Sequence, residues 1–230
     1  NYMGRAYEAR YLAGIVAAMN SPTGKIGYVA AMQIPEVIRG INAFTLGVRS
    51  VNPNATVTVK WTNTWFDVTI EKATALELIN SGCDLIAQHA DSTAPQIAAE
   101  EKGVKAIGYN SSTPDAAPTA YLTAPLFHWD VFYKNDVESI MNGTWQPKSY
   151  WGGLKDGMVS LDTLTSNNVA GTQEAVDAAK AKIEDGSLVI FSGELKDNEG
   201  KVRVEAGKSM TDAELQAFDW FVDGVIGTIG

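Results

Sequence analysis

The chain has 230 residues, 45% of them apolar, and 27 acidic against 18 basic side chains give a net charge of -9 and a pI near 4.7. That is enough material for one large or two small folded domains, and its negative field repels phosphate backbones and anionic lipid, which argues against a nucleic-acid partner. A single cysteine, Cys83, excludes an intrachain disulfide and a cysteine-built zinc site.

In chain order, "GRAYEARYLAGIVAAMN" reads as a helix ending near Asn20. A regular rhythm follows. "GKIGYVAAM" (24 to 32), "ATVTVKW" (55 to 61), "CDLIAQH" (83 to 89), "VKAIGYN" (104 to 110) and "AYLTAPL" (120 to 126) are apolar runs of strand length. Between the first four lie helical patterns: "PEVIRGINAFTLGVRS" with proline in its first turn, "DVTIEKATALELINSG" with an aspartate cap and a glycine stop, and "DSTAPQIAAEEKG". Strands alternating with helices at this spacing predict a parallel sheet covered on both faces.

Beyond the fifth run, "HWDVFYKNDVESIMNG" reads as a helix, "SYWGGLKDGMVSL" as a glycine-interrupted pair of strands, and "EAVDAAKAKIEDG" as an amphipathic helix. "GELKDNEGKVRVEAGKSM" predicts a hairpin around Asn198 to Gly200, and "TDAELQAFDWFVDGVIG" a closing helix with a Thr/Asp cap and Glu214 behind it. This layout predicts two lobes: residues 1–21 as a helical remnant of a first lobe, 22–124 as a second α/β lobe, and 125–230 returning to the first. The hinge crossings are expected near residues 20 to 25 and 119 to 127.

Parallel sheets bind ligands outside the carboxyl ends of their strands. At those ends stand Met32, Gln33 and Ile34; Asn63, Trp65, Phe66 and Asp67; His89, Asp91 and Ser92; and Asn110, Ser111 and Ser112. Rings at such positions can face a flat ligand while amide, imidazole and carboxylate groups hydrogen-bond its edge. Each has a plainer reading beside it. Trp61 reads as packing; Trp65 and Phe66 could pack in the core or between lobes, Asp67 suits an N-cap, and Asp91 could cap the next helix or orient His89 as a general base. His128 lies far from His89 without a metal-ligand pattern, and neither a glycine-rich phosphate loop nor a nucleophile elbow occurs. No metal, cofactor or catalytic set is expected.

Taken together and in order, "GRAYEARYLAG", "GKIGYVAAMQIPEVIRGINAFTLGVRSVNP", "VTVKWTNTWFD", "SGCDLIAQHADS", "GVKAIGYNS", "YWGGLKDGMV" and "DWFVDGVIG" resemble the Bmp family, the basic-membrane-protein or PnrA-like substrate-binding proteins of ABC transporters. The resemblance runs along essentially the whole chain. It implies a type I periplasmic-binding-protein fold, two doubly wound parallel-sheet lobes with the first lobe incomplete here. It also implies a purine base or nucleoside ligand, an ABC transporter permease as partner, and an extracytoplasmic place, periplasmic or at the cell surface. The chain opens on Asn1 without an initiator methionine. The resemblance also implies that about a third of the full protein precedes Asn1, with a signal peptide and a lipid-anchored cysteine.

Residue by residue, the family's stacking aromatic falls on Trp65, and the aspartate after it in the motif on Asp67. Its ribose-binding aspartate is replaced by Asn110, its lysine in the next strand by Phe127, and its glycine-rich turn by "QHADS". Losing the carboxylate and the lysine removes two charge-assisted hydrogen bonds to a sugar, each about 1.5–3 kcal/mol when buried. The ligand expected from these departures is a purine base, adenine first, with Trp65 stacking, Asp91 accepting from an amine or ring N–H, and His89 or Asn110 holding another edge. A nucleoside-binding protein of the same type is the alternative. A ligand-sensing regulator built on the same lobes, or an enzyme using His89 and Asp91, are rivals from other classes.

Overall fold

The computed structural model describes residues 1–230. The chain runs β1 (Tyr2–Gly4), α1 (Ala6–Met19), β2 (Lys25–Ala30), α2 (Pro35–Val51), β3 (Thr56–Trp61), α3 (Val68–Asn80), β4 (Leu85–His89), α4 (Ala94–Lys102), β5 (Lys105–Ile107) and β6 (Tyr121–Thr123). It continues with β7 (Pro125–Phe127), α5 (Trp129–Met141), β8 (Tyr150–Gly152), β9 (Val159–Leu161), α6 (Thr172–Glu184), β10 (Leu195–Lys196), β11 (Val202–Val204), α7 (Asp212–Gln216) and β12 (Val225–Ile226).

The principal sheet has six parallel strands in the order β12-β3-β2-β4-β5-β6. Because side chains alternate along each strand, its two faces build separate cores. Ile26, Tyr28 and Ala30 of β2, Val57 and Val59 of β3, and Leu85 and Ala87 of β4 join α1 and α2 in the larger core. Val29 and Ile86 face the other way, to Ala75 and Leu78 of α3 and Ala98 and Ala99 of α4. The expected alternation of strands and helices is thus present, with a left-handed Gly103 (φ 68°) ending α4.

Across the boundary expected at residue 21, α1 lies against α2, and Leu12, Ile15 and Val16 share the larger core with the sheet. The two helices pack backbone to backbone, since a Cβ on Gly14 would sit 2.1 Å from the Phe44 carbonyl oxygen and one on Gly47 2.0 Å from that of Tyr11. The run 120 to 126 breaks at Ala124 into two strands, of which β6 stays in the sheet and β7 pairs antiparallel with β9. The strands β8 and β9 do not pair with each other; β8 lies parallel to β1. The closing helix is short: after the capping box of Thr211 and Glu214, α7 stops at Gln216, and "VDGVIG" returns as β12 beside β3. The hairpin around Asn198 to Gly200 is formed by β10 and β11.

Edge strand β6 is covered by a strap. Asp162 and Thr165 donate their backbone N–H groups to the carbonyls of Ala124 (2.8 Å) and Leu122 (3.0 Å). Thr165 Oγ1 donates to Tyr121 O at 2.6 Å, and Asn168 Nδ2 to Leu122 O at 3.1 Å. On the far side, α5 buries no residue fully, and its aromatic face meets β1: Tyr2 stacks on Phe132 at 4.3 Å, and Trp129 stacks on Phe127 at 4.9 Å.

Candidate functional site

The carboxyl ends of β2, β3, β4 and β5 open on one rim. The chain turns sharply there, and it does so at two of the expected residues: Asn63 (φ 54°) and Asn110 (φ 56°) are the chain's only non-glycine residues in the left-handed region. Asparagine tolerates that conformation better than branched residues do. Asn63 donates its backbone N–H to Ala31 O at 2.9 Å, tying the β3 exit to the β2 exit, and Asn110 forms an isolated parallel bridge with Leu126.

The stretch after β3 answers differently for each aromatic residue. Trp61 is packing, as expected: its ring stacks on Phe221 at 6.1 Å and its Nε1 donates to Thr228 O at 2.8 Å. Trp65 remains 37% exposed and Phe66 64%. Asp67 is the N-cap of α3, with Oδ1 accepting from Thr69 N and Ile70 N, each at 2.9 Å. Asp91 is exposed, and its backbone N–H donates to Trp65 O at 2.9 Å, so the β3 and β4 exit loops are joined. Partial desolvation by the loops beside it still pushes the Asp91 carboxyl upward. Asp91 does not cap α4; Thr93 is its N-cap and Ser92 Oγ accepts from Ala94 N at 3.2 Å.

A buried carboxylate fixes this junction. Glu71 Oε1 accepts from Asp67 N at 2.9 Å, while Oε2 accepts from Ser92 N (3.2 Å) and Ser92 Oγ (2.7 Å). One side chain on the first turn of α3 thereby holds both loops.

His89 lies lower than expected. It is only 2% exposed, on the α1/α2 face of the sheet, between Trp65 (ring centroids 6.2 Å) and Tyr109 (4.7 Å). Arg10 of α1 sits over the other ring of this row, 4.9 Å from the Tyr109 centroid, and its Nη1 donates to Gln88 O at 2.8 Å. Glu36, on the first turn of α2, brings Oε1 to 3.8 Å from His89 Nε2. Burial first, then the charges of Arg10 and Arg39, hold the His89 imidazole well below its usual range, so it is neutral. Burial also raises the Glu36 carboxyl and the Tyr109 hydroxyl. A neutral imidazole offers one donor and one acceptor, which suits a recognition edge.

Of the six expected site residues, Asn63, Trp65, Phe66, His89, Asp91 and Asn110 all come to the same rim, five at its surface and His89 beneath. Tyr109, Arg10, Glu36 and Glu71 were not anticipated. Arg10 carried a signal, being the charge that stands directly before the uncharged run "YLAGIVAAM". His128 is held by a 2.6 Å contact between Nε2 and Ser160 Oγ, and no cluster of metal-ligating side chains occurs.

A six-stranded parallel sheet wound with helices on both faces, with its polar and aromatic groups gathered at the strand carboxyl ends, is the architecture of type I solute-binding proteins of ABC transporters. One solved example, a solute-binding protein of an ABC transporter system from Aeropyrum pernix K1, superposes with a TM-score of 0.71 at 19% identity, over 95% of this chain and 70% of that one. The family profile described as ABC transporter substrate-binding protein PnrA-like (Bmp) matches residues 1–191, and the chain belongs to that family. Its members are binding components, not enzymes. A purine-binding protein from Brucella abortus is 38% identical over 224 residues, covering 97% of this chain and 64% of its own. A Haloferax volcanii protein named as a candidate ABC transporter glucose-binding protein, TsgA13, is 39% identical over 228 residues, covering 99% and 56%. The chain therefore spans about three fifths of the length of these relatives.

Proposed function

We propose that this chain carries one wall of the ligand site in an extracytoplasmic ABC substrate-binding protein, and that the ligand is a purine base, adenine first. The observation that carries this reading is the row of rings Trp65, His89 and Tyr109 beside Asp91 and Asn110 at the strand ends. A flat base lies against the exposed Trp65 indole, while the amide and carboxylate of the rim bond its edge. The two lobes close on the ligand, and a permease reads the closed form; closure is favoured only by contacts that the closed state alone makes. The Brucella abortus relative supports a purine.

The Haloferax volcanii relative favours a second reading, a hexose, because an indole face also takes the C–H face of a sugar and Asp91, Asn63 and Asn110 suit its hydroxyls. Thermal-shift titration of the full protein separates the two, since a ligand that binds only the folded state raises its melting temperature. Under the first reading adenine raises it more than adenosine does, and glucose leaves it unchanged; Asp91→Ala shrinks the adenine shift. A shift with glucose alone reverses the assignment, and a larger shift with adenosine makes the ligand a nucleoside.

A further inference from the structure

Every buried side-chain nitrogen or oxygen that lacks a hydrogen-bond partner belongs to three residues: Arg10 (Nε and Nη2), Tyr28 (hydroxyl) and His89 (both ring nitrogens). Buried polar groups are almost always paired, so five unpaired atoms in one place call for a physical reason. They are neighbours. Tyr28 and Ala30 alternate onto one face of β2, and Ala30 stands opposite His89 in the β2–β4 pairing. Arg10 and His89 both border Gly40, whose added Cβ would lie 3.4 Å from His89 Nδ1 and 3.8 Å from Arg10 Cγ.

Glu36 precedes Gly40 by one helical turn and so shares its face of α2. A glutamate in the first turn commonly serves the helix dipole. Here its carboxylate is instead 3.8 Å from His89 Nε2, accepts no hydrogen bond from the protein, and keeps a quarter of its side chain exposed. It is the accessible end of an otherwise sealed polar cluster. Behind it lie the buried His89 imidazole and Arg10 guanidinium, so the group presented at the surface is an acceptor. An acceptor there complements a heteroaromatic edge carrying an amino group.

We propose that Glu36 is the specificity-determining residue of the site: it accepts from the exocyclic amine of an amino-substituted base, with the buried His89 imidazole 3.8 Å behind it. This rests on the purine reading above and assigns the amine to Glu36 in place of Asp91. Unsubstituted purine has the same ring nitrogens and no amine, so it gains nothing from Glu36.

Calorimetric titration of wild type, Glu36→Ala and Glu36→Gln with adenine and with unsubstituted purine tests it. A charged acceptor lost from a buried contact lowers affinity about 10–100-fold, so Glu36→Ala loses that much for adenine and less than about threefold for purine. Glu36→Gln, which keeps the shape of the side chain, also lowers the adenine-to-purine preference. If both ligands lose affinity equally, or neither changes, the assignment to Glu36 is wrong while the purine reading stands. If wild type binds neither base, the purine reading fails and this one with it.

Discussion

Two regions of the molecule are rich in aromatic rings, and they differ in what surrounds the rings. Around α5, Tyr2, Trp129, Phe132, Tyr133 and Tyr150 meet one another edge to face, tilted or stacked, and the polar contact among them is a hydroxyl pair, Tyr2 with Tyr133 at 3.3 Å. At the sheet rim, Trp65, His89 and Tyr109 stand among Arg10, Glu36 and Asp91, and unpaired polar atoms lie beneath them. Ring density alone therefore does not locate a binding site. Rings next to unsatisfied hydrogen-bonding groups are the better candidates, because only those groups gain from a partner that the protein itself does not supply.

The comparison can be broken at several levels. The largest effect is expected from Gly47→Ala, which forces α1 and α2 apart at the point where a Cβ would be 2.0 Å from the Tyr11 carbonyl oxygen. Overpacking of this kind costs about 3 kcal/mol or more, a fall in melting temperature of about 6–12 °C in a chain of this size. Ligand affinity should fall too, since Arg10 and Glu36 ride on those helices. An unchanged melting temperature would show that the two helices do not support the rim.

Next comes Trp65→Ala. Base-on-aromatic stacking is worth about 1–3 kcal/mol per base, so adenine affinity should drop roughly 5- to 150-fold in a titration, while Tyr133→Ala on the α5 face leaves it unchanged. Equal losses from both variants would erase the distinction between the regions.

A smaller effect should appear with pH. The His89 imidazole, held low by burial and by Arg10 and Arg39, stays neutral in the fold, whereas the unfolded chain takes up that proton near pH 6.5. Its contribution to stability is complete above that value and declines as the pH falls below it. Glu8 and Glu36, whose carboxyls burial raises, act with the opposite sign but closer to pH 4.5, where folded molecules bind those protons first. Melting temperatures between pH 7.5 and 6 should therefore decline gently in wild type and stay level in His89→Gln. A level wild-type curve would mean that His89 takes its proton within the fold.

The smallest effect belongs to Val137→Ser on the exposed face of α5, where surface substitutions stay within about 0.5 kcal/mol. A marked loss there would make that face part of a packed interface in the folded molecule.

Much of this was legible in the sequence, for identifiable reasons. The runs at 24, 55, 83 and 104 are continuous and apolar because both sheet faces are covered, and their helices carry clear punctuation such as Asp67 and Gly103. Trp65, Asp91 and Asn110 could be placed at the rim because a parallel sheet brings its strand ends together. Strand β12 was hidden: two residues, Val225 and Ile226, carry too little pattern, and a capped start suggested that the helix went on. Glu36 was not legible because it lies beyond the loop, which ends at Ile34, in the first turn of a helix that still overlooks the rim. Arg10 lies before the sheet in sequence, and only the packing of α1 on α2 brings it under Tyr109. His89 sits at a strand end, yet period-two alternation turns it into the α1/α2 core.

The strap over β6 has a consequence for how the protein meets other copies of itself. Exposed sheet edges are templates on which further strands add, the usual route to runaway association. Here Thr165, Asn167 and Asn168 occupy the Tyr121 and Leu122 carbonyls of β6 that an incoming strand would need, and the opposite edge ends in β12, a strand of two residues. A rim left open to small molecules is thus built on a sheet that offers other chains almost nothing to grow from.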